Sequence, residues 1–567
     1  STRVRSSAAS DVYKRQETNM ATIKIVGIID SNIQGYQYVG GVVGYANSYS
    51  TIINCYNISS VSGSGDYVGG VAGWAEETVT NCYNEGVVRS SGSIAIGGVV
   101  GCSTTINLLD CYNTGLVISE IDEVSGFAGS PDASYDPQPS IGGILGWTRV
   151  DSNNTNSNNV GNVIVDSNCP VGGILGSAAT YFMGPSNTTI SNCYNTGSVS
   201  GSDDVGGVVG DLYGGDITNC YNTGDITGKG SDVGGIAGLG NSDVANCYNT
   251  GSVSGSEEYI GGVVGYSDSY NITNCYNTGV VTGNREVGGV VGRAKSDVAN
   301  CYNTGSVSGS DGVGGVVGCS ESCDVTNCYN TGIIDGSSSV GGVVGKVYYS
   351  FSTIANCYNT GVVTGSGDDV GGVVGSYFPF ASDGRYPIVN NYYGGNCTLT
   401  AGVGNSINTG ASKDENLIAN AKSLSWYQNS SKWNSSYPWD FVEVWSLVPS
   451  ANDGYPILQG FSVNISYNSN FGENETVTEQ VPSGQEIVIA GYDLFTRVGY
   501  EISHWNTKPD GTGLNFYAGD TYSEGAGLTL YAIWEAGIYS ITLDANGGSG
   551  GTQEIWVKYG YGFYANS

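Results

Sequence analysis

The chain has 567 residues, of which 51 are acidic and 19 basic, and the resulting net charge of −32 makes nucleic acid a poor partner. Only 12% of residues are charged, while 39% are apolar and 41 are tyrosine, too much buriable surface for an acidic disordered chain. The single histidine, His504, excludes metal sites built from several imidazoles and disfavours most hydrolytic chemistry, so the chain is expected not to be an enzyme.

Residues 1–16, STRVRSSAASDVYKRQ, share no pattern with the rest of the chain and resemble a translated sequencing adapter, so they are set aside as non-native. No run of 18 apolar residues occurs, so no transmembrane segment is expected within this fragment, and its beginning does not read as a signal peptide.

From residue 17 onward two phrases alternate, VGGVVG and an apolar residue followed by x-N-C-Y-N-T-G-x-V. The cysteine of the second phrase falls at Cys55, Cys82, Cys111, Cys193, Cys220, Cys247, Cys275, Cys301, Cys328 and Cys357, with steps of about 27 residues from Cys193 onward. Between Cys111 and Cys193, Asn159, Gly161 and Val163 mark a degenerate copy without its cysteine and tyrosine. The Gly-Gly pair recurs from Gly40 to Gly371 and predicts twelve coils. Two adjacent glycines cost a helix about 2 kcal/mol against alanine, whereas Val, Ile, Tyr and Thr favour strands. The expectation is an all-β fold: a parallel β-solenoid over residues 17–400, with two or three strands of about four to six residues per coil, stacked at about 4.8 Å into an array about 55–60 Å long.

The position three before the cysteine is aliphatic, as at Ile190, Ile217, Val244 and Ile272, and forms a core column. Residues three apart on a straight strand face opposite sides, so this column and the cysteines both face inward only across a bend or bulge. Periodicity leaves that choice open.

These repeated phrases resemble the GLUG motif, a short repeat of bacterial surface proteins that also occurs in some IgA-specific metallopeptidases. The peptidase chemistry needs two histidines in HExxH, so the resemblance carries over the array and not the protease activity.

Residues 401–460 turn aromatic, with Trp433, Trp439-Asp440-Phe441, Val444-Trp445 and Asp453-Gly454-Tyr455-Pro456, and resemble the ending that follows GLUG arrays. They are expected to cap the last coil rather than form a carbohydrate-binding patch. Residues 461–536 resemble the Listeria-Bacteroides repeat, the β-grasp-like B repeat of internalin-type proteins. That resemblance is carried by Phe495, Arg497, Gly499-Tyr500, Trp505, Asn506-Thr507, Asp510-Gly511-Thr512-Gly513 and Tyr531-Ala532-x-Trp534, while Glu501-Ile502-Ser503-His504 departs from it. A second copy begins within residues 537–567 and is expected to continue beyond them.

Among candidate sites, the ten phrase cysteines are expected to be buried free thiols, and Cys319 and Cys323 free thiols in preference to a disulfide or a metal pair. The acidic pairs Asp203-Asp204, Glu257-Glu258 and Asp368-Asp369 form no continuous carboxylate ladder, because Ser231-Asp232, Arg285-Glu286 and Asp311-Gly312 interrupt it, so a solvated surface is favoured over calcium binding. Basic residues within the array are sparse: Arg149, Lys229, Arg285, Arg293, Lys295 and Lys346, with Arg293 and Lys295 near Asp297 a weak catalytic candidate. The column Tyr194, Tyr221, Tyr248, Tyr276, Tyr302, Tyr329 and Tyr358 is read as a structural stacking ladder, with glycan binding the competing reading. No residue is assigned as catalytic, cofactor-binding or metal-ligating, no cofactor is implied, and ligand-binding residues are left unassigned.

The expectation is therefore a non-enzymatic bacterial cell-surface or secreted protein, an adhesin or structural stalk. The alternatives are a glycan- or matrix-binding module, or the repeat region of a larger surface peptidase or carbohydrate-active enzyme. The expected partners are host glycan, extracellular-matrix protein or bacterial cell wall, and the expected location is the cell surface or envelope.

Overall fold

The computed structural model describes residues 17–559 apart from 19, 48, 93, 121–138, 150, 179–186, 349–351, 368, 379–387, 390, 395–402, 407–419, 423–438, 441–442, 447–454, 460–461, 472–474, 483–486, 523–527 and 544–552. Every regular element among them is a strand. The chain divides into two compact units, Ser1–Trp426 with Trp433–Trp439, and Tyr427–Lys432 with Asp440–Ser567.

The first unit is a parallel β-solenoid whose strands form four parallel sheets of 25, 12, 14 and 12 strands. One coil illustrates the path. Val205–Gly206 is followed by a corner, then by the long strand Val209–Thr218, by Tyr221–Asn222, by Ile226–Gly228, and by Val233–Gly234 of the next coil. The expectation of two or three strands of about four to six residues per coil is corrected: each coil contributes to four sheets, mostly through strands of two to four residues. The chain is cut this finely because glycine and asparagine bend it at each corner. A Cβ on Gly206 would stand 1.8 Å from the Val209 carbonyl oxygen, and one on Gly207 2.0 Å from that of Gly235 in the next coil. Only glycine permits the corner.

The Gly column runs unbroken and in register from Gly40 through Gly69, Gly206 and Gly341 to Gly371, giving the twelve coils that the Gly-Gly pairs predict. Parallel pairing continues past residue 400, where Val403–Ser406 pairs with Val374–Tyr377 and Asn420–Lys422 with Tyr392–Gly394.

The core holds both columns that periodicity could not place on one side. Ile217 and Cys220 are each 0% exposed, as are Val205, Val208, Val209 and Ile226. The bend between them is the residue before each cysteine, an asparagine except for Asp110: Asn54, Asn81, Asp110, Asn219, Asn246, Asn300 and their equivalents have φ between +50° and +56°. Asparagine tolerates this left-handed conformation better than most residues, and the turn rotates the cysteine back to the inside. The degenerate copy keeps the frame, since Asn159 pairs with Asn113 and Asn195, and Val163 with Val117 and Val199. Ser157 and Asn158 stand in the cysteine and tyrosine positions.

In the second unit, Ser462–Asn468, Thr476–Pro482, Tyr500–Asn506, Asn515–Phe516 and Leu528–Ala536 build a mixed five-stranded sheet. Its centre is Trp505, 0% exposed, edge-on to Tyr467 at 5.0 Å and donating its indole N–H to the Ala490 carbonyl at 3.1 Å. Asn506 organises the following turn, accepting from the amides of Lys508 at 2.8 Å and Gly513 at 2.9 Å. Of the residues quoted for the B-repeat resemblance, Phe495 and Trp505 are buried in this core and Asn506 and Gly513 meet in this turn, whereas Arg497 lies over the Phe471 and Tyr500 rings. Ile538–Leu543 and Gln553–Lys558 form a separate antiparallel hairpin.

Of the segment expected to cap the array, Trp433, Phe441, Asp453 and Gly454 lie outside the described residues. Trp439 is buried within the array unit beside Tyr358 at 5.9 Å and Tyr392 at 5.5 Å. Trp445 pairs with Leu458 in a short hairpin of the second unit.

Candidate binding faces of the array

Three ladders run along each coil's Tyr-Asn corner. The tyrosine rings stack at 4.6–5.0 Å with interplanar angles of 3–5°, from Tyr56 to Tyr112 and again from Tyr194 to Tyr358. Asn158 interrupts the stack and donates to the Tyr194 hydroxyl. The rings up to Tyr248 are partly exposed, but Tyr276, Tyr302, Tyr329 and Tyr358 are buried, so that half of the ladder is structural and offers no face to a ligand.

The asparagine next to each tyrosine points inward and forms a ladder that pattern reading missed. Asn222 donates through Nδ2 to the Gly224 carbonyl at 2.7 Å and to Asn249 Oδ1 of the next coil at 2.7 Å, and accepts from Asn195 Nδ2 at 2.7 Å. The same amide relay links Asn57 to Asn359 without a gap, through the degenerate copy. The signal was present in the repeated phrase, where the second asparagine is as regular as the cysteine.

The fourteen described cysteines are free and buried, Cys319 and Cys323 among them; Cys397 lies outside the described residues. In the phrase column each thiol donates to carbonyls of its own and the preceding coil, Cys220 to Thr218 at 3.3 Å and Ile190 at 3.6 Å. Burial pushes Cys111, Cys169 and Cys323 up to about 12.

The charged candidates gather beside the Gly-Gly corner. Glu258, Arg285 and Asp311 share one column in register, so the charges alternate, and Arg285 bonds Glu258 at 2.6 Å. Lys346, buried, reaches Asp311 at 2.5 Å. Arg293 and Asp297 are not brought together: Arg293 pairs with Glu321 at 2.5 Å and donates to the Tyr259 hydroxyl at 3.0 Å, whereas Asp297 accepts the Asp324 amide at 2.9 Å. Lys295 lies over the Tyr266 ring at 5.4 Å, and Lys229 pairs with Asp166 at 2.8 Å. Asp203 accepts the Ser231 amide at 2.7 Å. Burial, with neighbouring carboxylates adding to it, pushes Asp204 up to about 6 and Asp211 and Asp232 up to about 8. Asp368 lies outside the described residues. His504 belongs to the second unit, its Nδ1 3.2 Å from Ser503 Oγ.

The corner is flanked by two columns that the sequence did not reveal as neighbours, partly exposed at some coils and buried at others. The column after the corner reads Tyr45, Trp74, Cys102, Trp147, Ser177, Asp211, Leu239, Tyr266, Arg293, Cys319, Lys346 and Ser376 in register. The residue before each Val-Gly strand supplies the other, including Tyr38, Tyr67, Asp204, Asp232, Tyr259 and Glu286. One backbone therefore carries aromatic, acidic and mixed-charge stretches in succession.

The GLUG motif is matched at four positions, residues 201–227, 256–282, 283–308 and 336–364. Each match spans about one turn of the solenoid. Two proteins of Evansella cellulosilytica are similar over short segments. The "Putative Gly-rich membrane protein" is 34% identical over 122 residues, 20% of this chain and 14% of that protein. The "Putative membrane protein" is 32% identical over 117 residues, 20% of this chain and 16% of that protein. The matched segments are thus a small part of either relative. Among solved structures, "a putative immunoglobulin A1 protease from Bacteroides ovatus" aligns over 63% of this chain and 86% of that chain, at 18% identity and a TM-score of 0.27. Among the described residues no helix is long and apolar enough to cross a membrane.

Proposed function

We propose that this chain is a non-catalytic repeat protein of the bacterial cell surface, in which the solenoid presents binding residues at fixed spacing and the following modules act as a stalk. The observation that carries this reading is the contrast between a closely repeated core and two flanking columns whose partly exposed members change class, as at Trp74, Asp211, Tyr266 and Arg293. The Gly, Val, Cys and Asn columns repeat from coil to coil, whereas the two columns beside the corner change residue class along the array. A scaffold with a repeated core and partly exposed positions that vary from coil to coil is suited to recognition. The GLUG repeats and the names of the Evansella relatives support a place in the cell envelope, and the resemblance of residues 461–536 to surface B repeats supports the stalk. Host glycan, matrix protein or cell-wall polymer are the partners this reading implies.

An antibody raised against the array should label intact cells of the source bacterium. Labelling that requires permeabilised cells would overturn the surface assignment.

A further inference from the structure

A partly exposed aromatic stretch opens the two columns beside the corner, with Tyr67 and Trp74 also packed against buried Ala95, Cys102 and Trp147. Tyr45 and Trp74 follow the corner in adjacent coils, their rings 6.0 Å apart and inclined by 21°. Tyr38 stands edge-on to Tyr45 at 5.1 Å, and Tyr67 edge-on to Trp74 at 5.1 Å. All four rings are partly exposed. Further along the same column the same backbone carries Ser177, Asp211 and Arg293, so the register does not dictate aromatic residues here.

The rings are rimmed by polar groups. Asp66 accepts from Gln37 Nε2 at 2.8 Å, and Glu76 accepts from the Trp74 indole at 3.1 Å and from Thr104 Oγ1 at 3.2 Å. Farther along the column, buried Trp147 packs in the same cluster as Trp74, and its indole N–H has no acceptor among the described residues. Flat apolar rings beside carboxylate and amide groups suit a pyranose, whose C–H face lies on a ring while its hydroxyls bond at the edge. The ion balance selects among sugars. With carboxylates as the charged rim and a net charge of −32, sulfated or uronate polymers are repelled, and uncharged ones are not.

The geometry points to the Tyr38, Tyr45, Tyr67 and Trp74 patch as a binding site for a neutral oligosaccharide. It rests on the reading of the array exterior as a recognition surface, and places the site away from the Tyr194–Tyr358 ladder.

Isothermal titration of the full chain with cellohexaose, maltohexaose and chitohexaose, with heparin as the polyanionic counterpart, tests it. At least one neutral hexasaccharide should bind saturably and heparin should not. Trp74→Ser and Tyr45→Ser should each weaken binding by about tenfold or more, as loss of an aromatic anchor does. Serine is chosen because Ser177 occupies this column, and unchanged circular dichroism and melting verify the fold. Tyr221→Ser, on the stacking ladder, should leave affinity unaltered. No binding of the neutral sugars, or preferential binding of heparin, would overturn the ligand class. Binding that survives Trp74→Ser in a folded variant would overturn the site while leaving the surface-protein reading to its antibody test.

Discussion

Asn222 donates a side-chain hydrogen bond of 2.7 Å to Asn249 of the adjacent coil inside the core, and neither amide meets water. Replacing Asn222 by Ala strands four buried groups at once: the Asn195 donor, the Asn249 acceptor, and the Gly224 carbonyl and amide. Each unsatisfied buried group costs about 1–3 kcal/mol, so Asn222→Ala should destabilise the array by about 3 kcal/mol or more, read as a lower denaturant midpoint in equilibrium unfolding. Tyr221→Ala next to it removes a partly exposed ring and should cost clearly less.

Asn219, at φ +55°, tests the bend that returns the cysteine to the core. Asn219→Gly should be nearly neutral, whereas Asn219→Val should cost at least about 1–2 kcal/mol, because a β-branched residue resists the left-handed region. Equal thermal stability of the two variants would show that the bend is not held by this conformation.

The columns of this fold were legible wherever a side chain is required in every coil. Gly40 to Gly371, the aliphatic position of Ile217 and the cysteines announced both the coil number and the core. Their facing did not follow, because a period of two breaks at a single residue: Asn219 turns the chain by its backbone, and its identity alone does not distinguish a bend from a strand residue. Asn222 was concealed by ambiguity of another kind. The triplet Asn222-Thr223-Gly224 reads as a turn, and it is one, but the side chain that caps the turn also reaches into the neighbouring coil. The pairing of Tyr38 with Tyr45, seven positions apart, depends on a corner whose angle is set by Gly40 and Gly41, and periodicity carries no information on angles.

Thiol chemistry should report the interior directly. With Cys111, Cys169 and Cys323 pushed up to about 12 by burial, iodoacetamide at pH 8 should leave these three unmodified in the folded chain and label them in denaturant without prior reduction. Mass spectrometry of the two samples decides it. Labelling that appears only after reduction would show that the thiols are bridged.

The carboxylates at the sixth and seventh Gly-Gly corners should make stability fall with rising pH. Burial and the mutual repulsion of Asp203, Asp204, Asp211, Asp232 and Glu258 raise Asp204 to about 6 and Asp211 and Asp232 to about 8, from an ordinary 3.8. The folded chain therefore holds protons that the unfolded chain has released, and the resulting stabilisation, complete below pH 4, is lost as pH climbs through 6 to 8. Asp211→Asn and Asp232→Asn should raise the melting temperature at pH 9 by a few degrees, a gain that fades toward pH 4. A pH-independent gain would assign the effect to packing instead.

Among the described residues, the backbone ladders join each coil of the array to the coils before and after it, in register, through short strands. Under tension applied along the stacking axis, such an assembly opens from an end, one layer at a time. A layer of about 27 residues pulled straight releases roughly 90 Å of chain, so a force trace would show repeated steps near that size, with longer ones for the coils from Asn113 to Asn159 and on to Asn195, and the array would lengthen progressively under load before its last coils gave way.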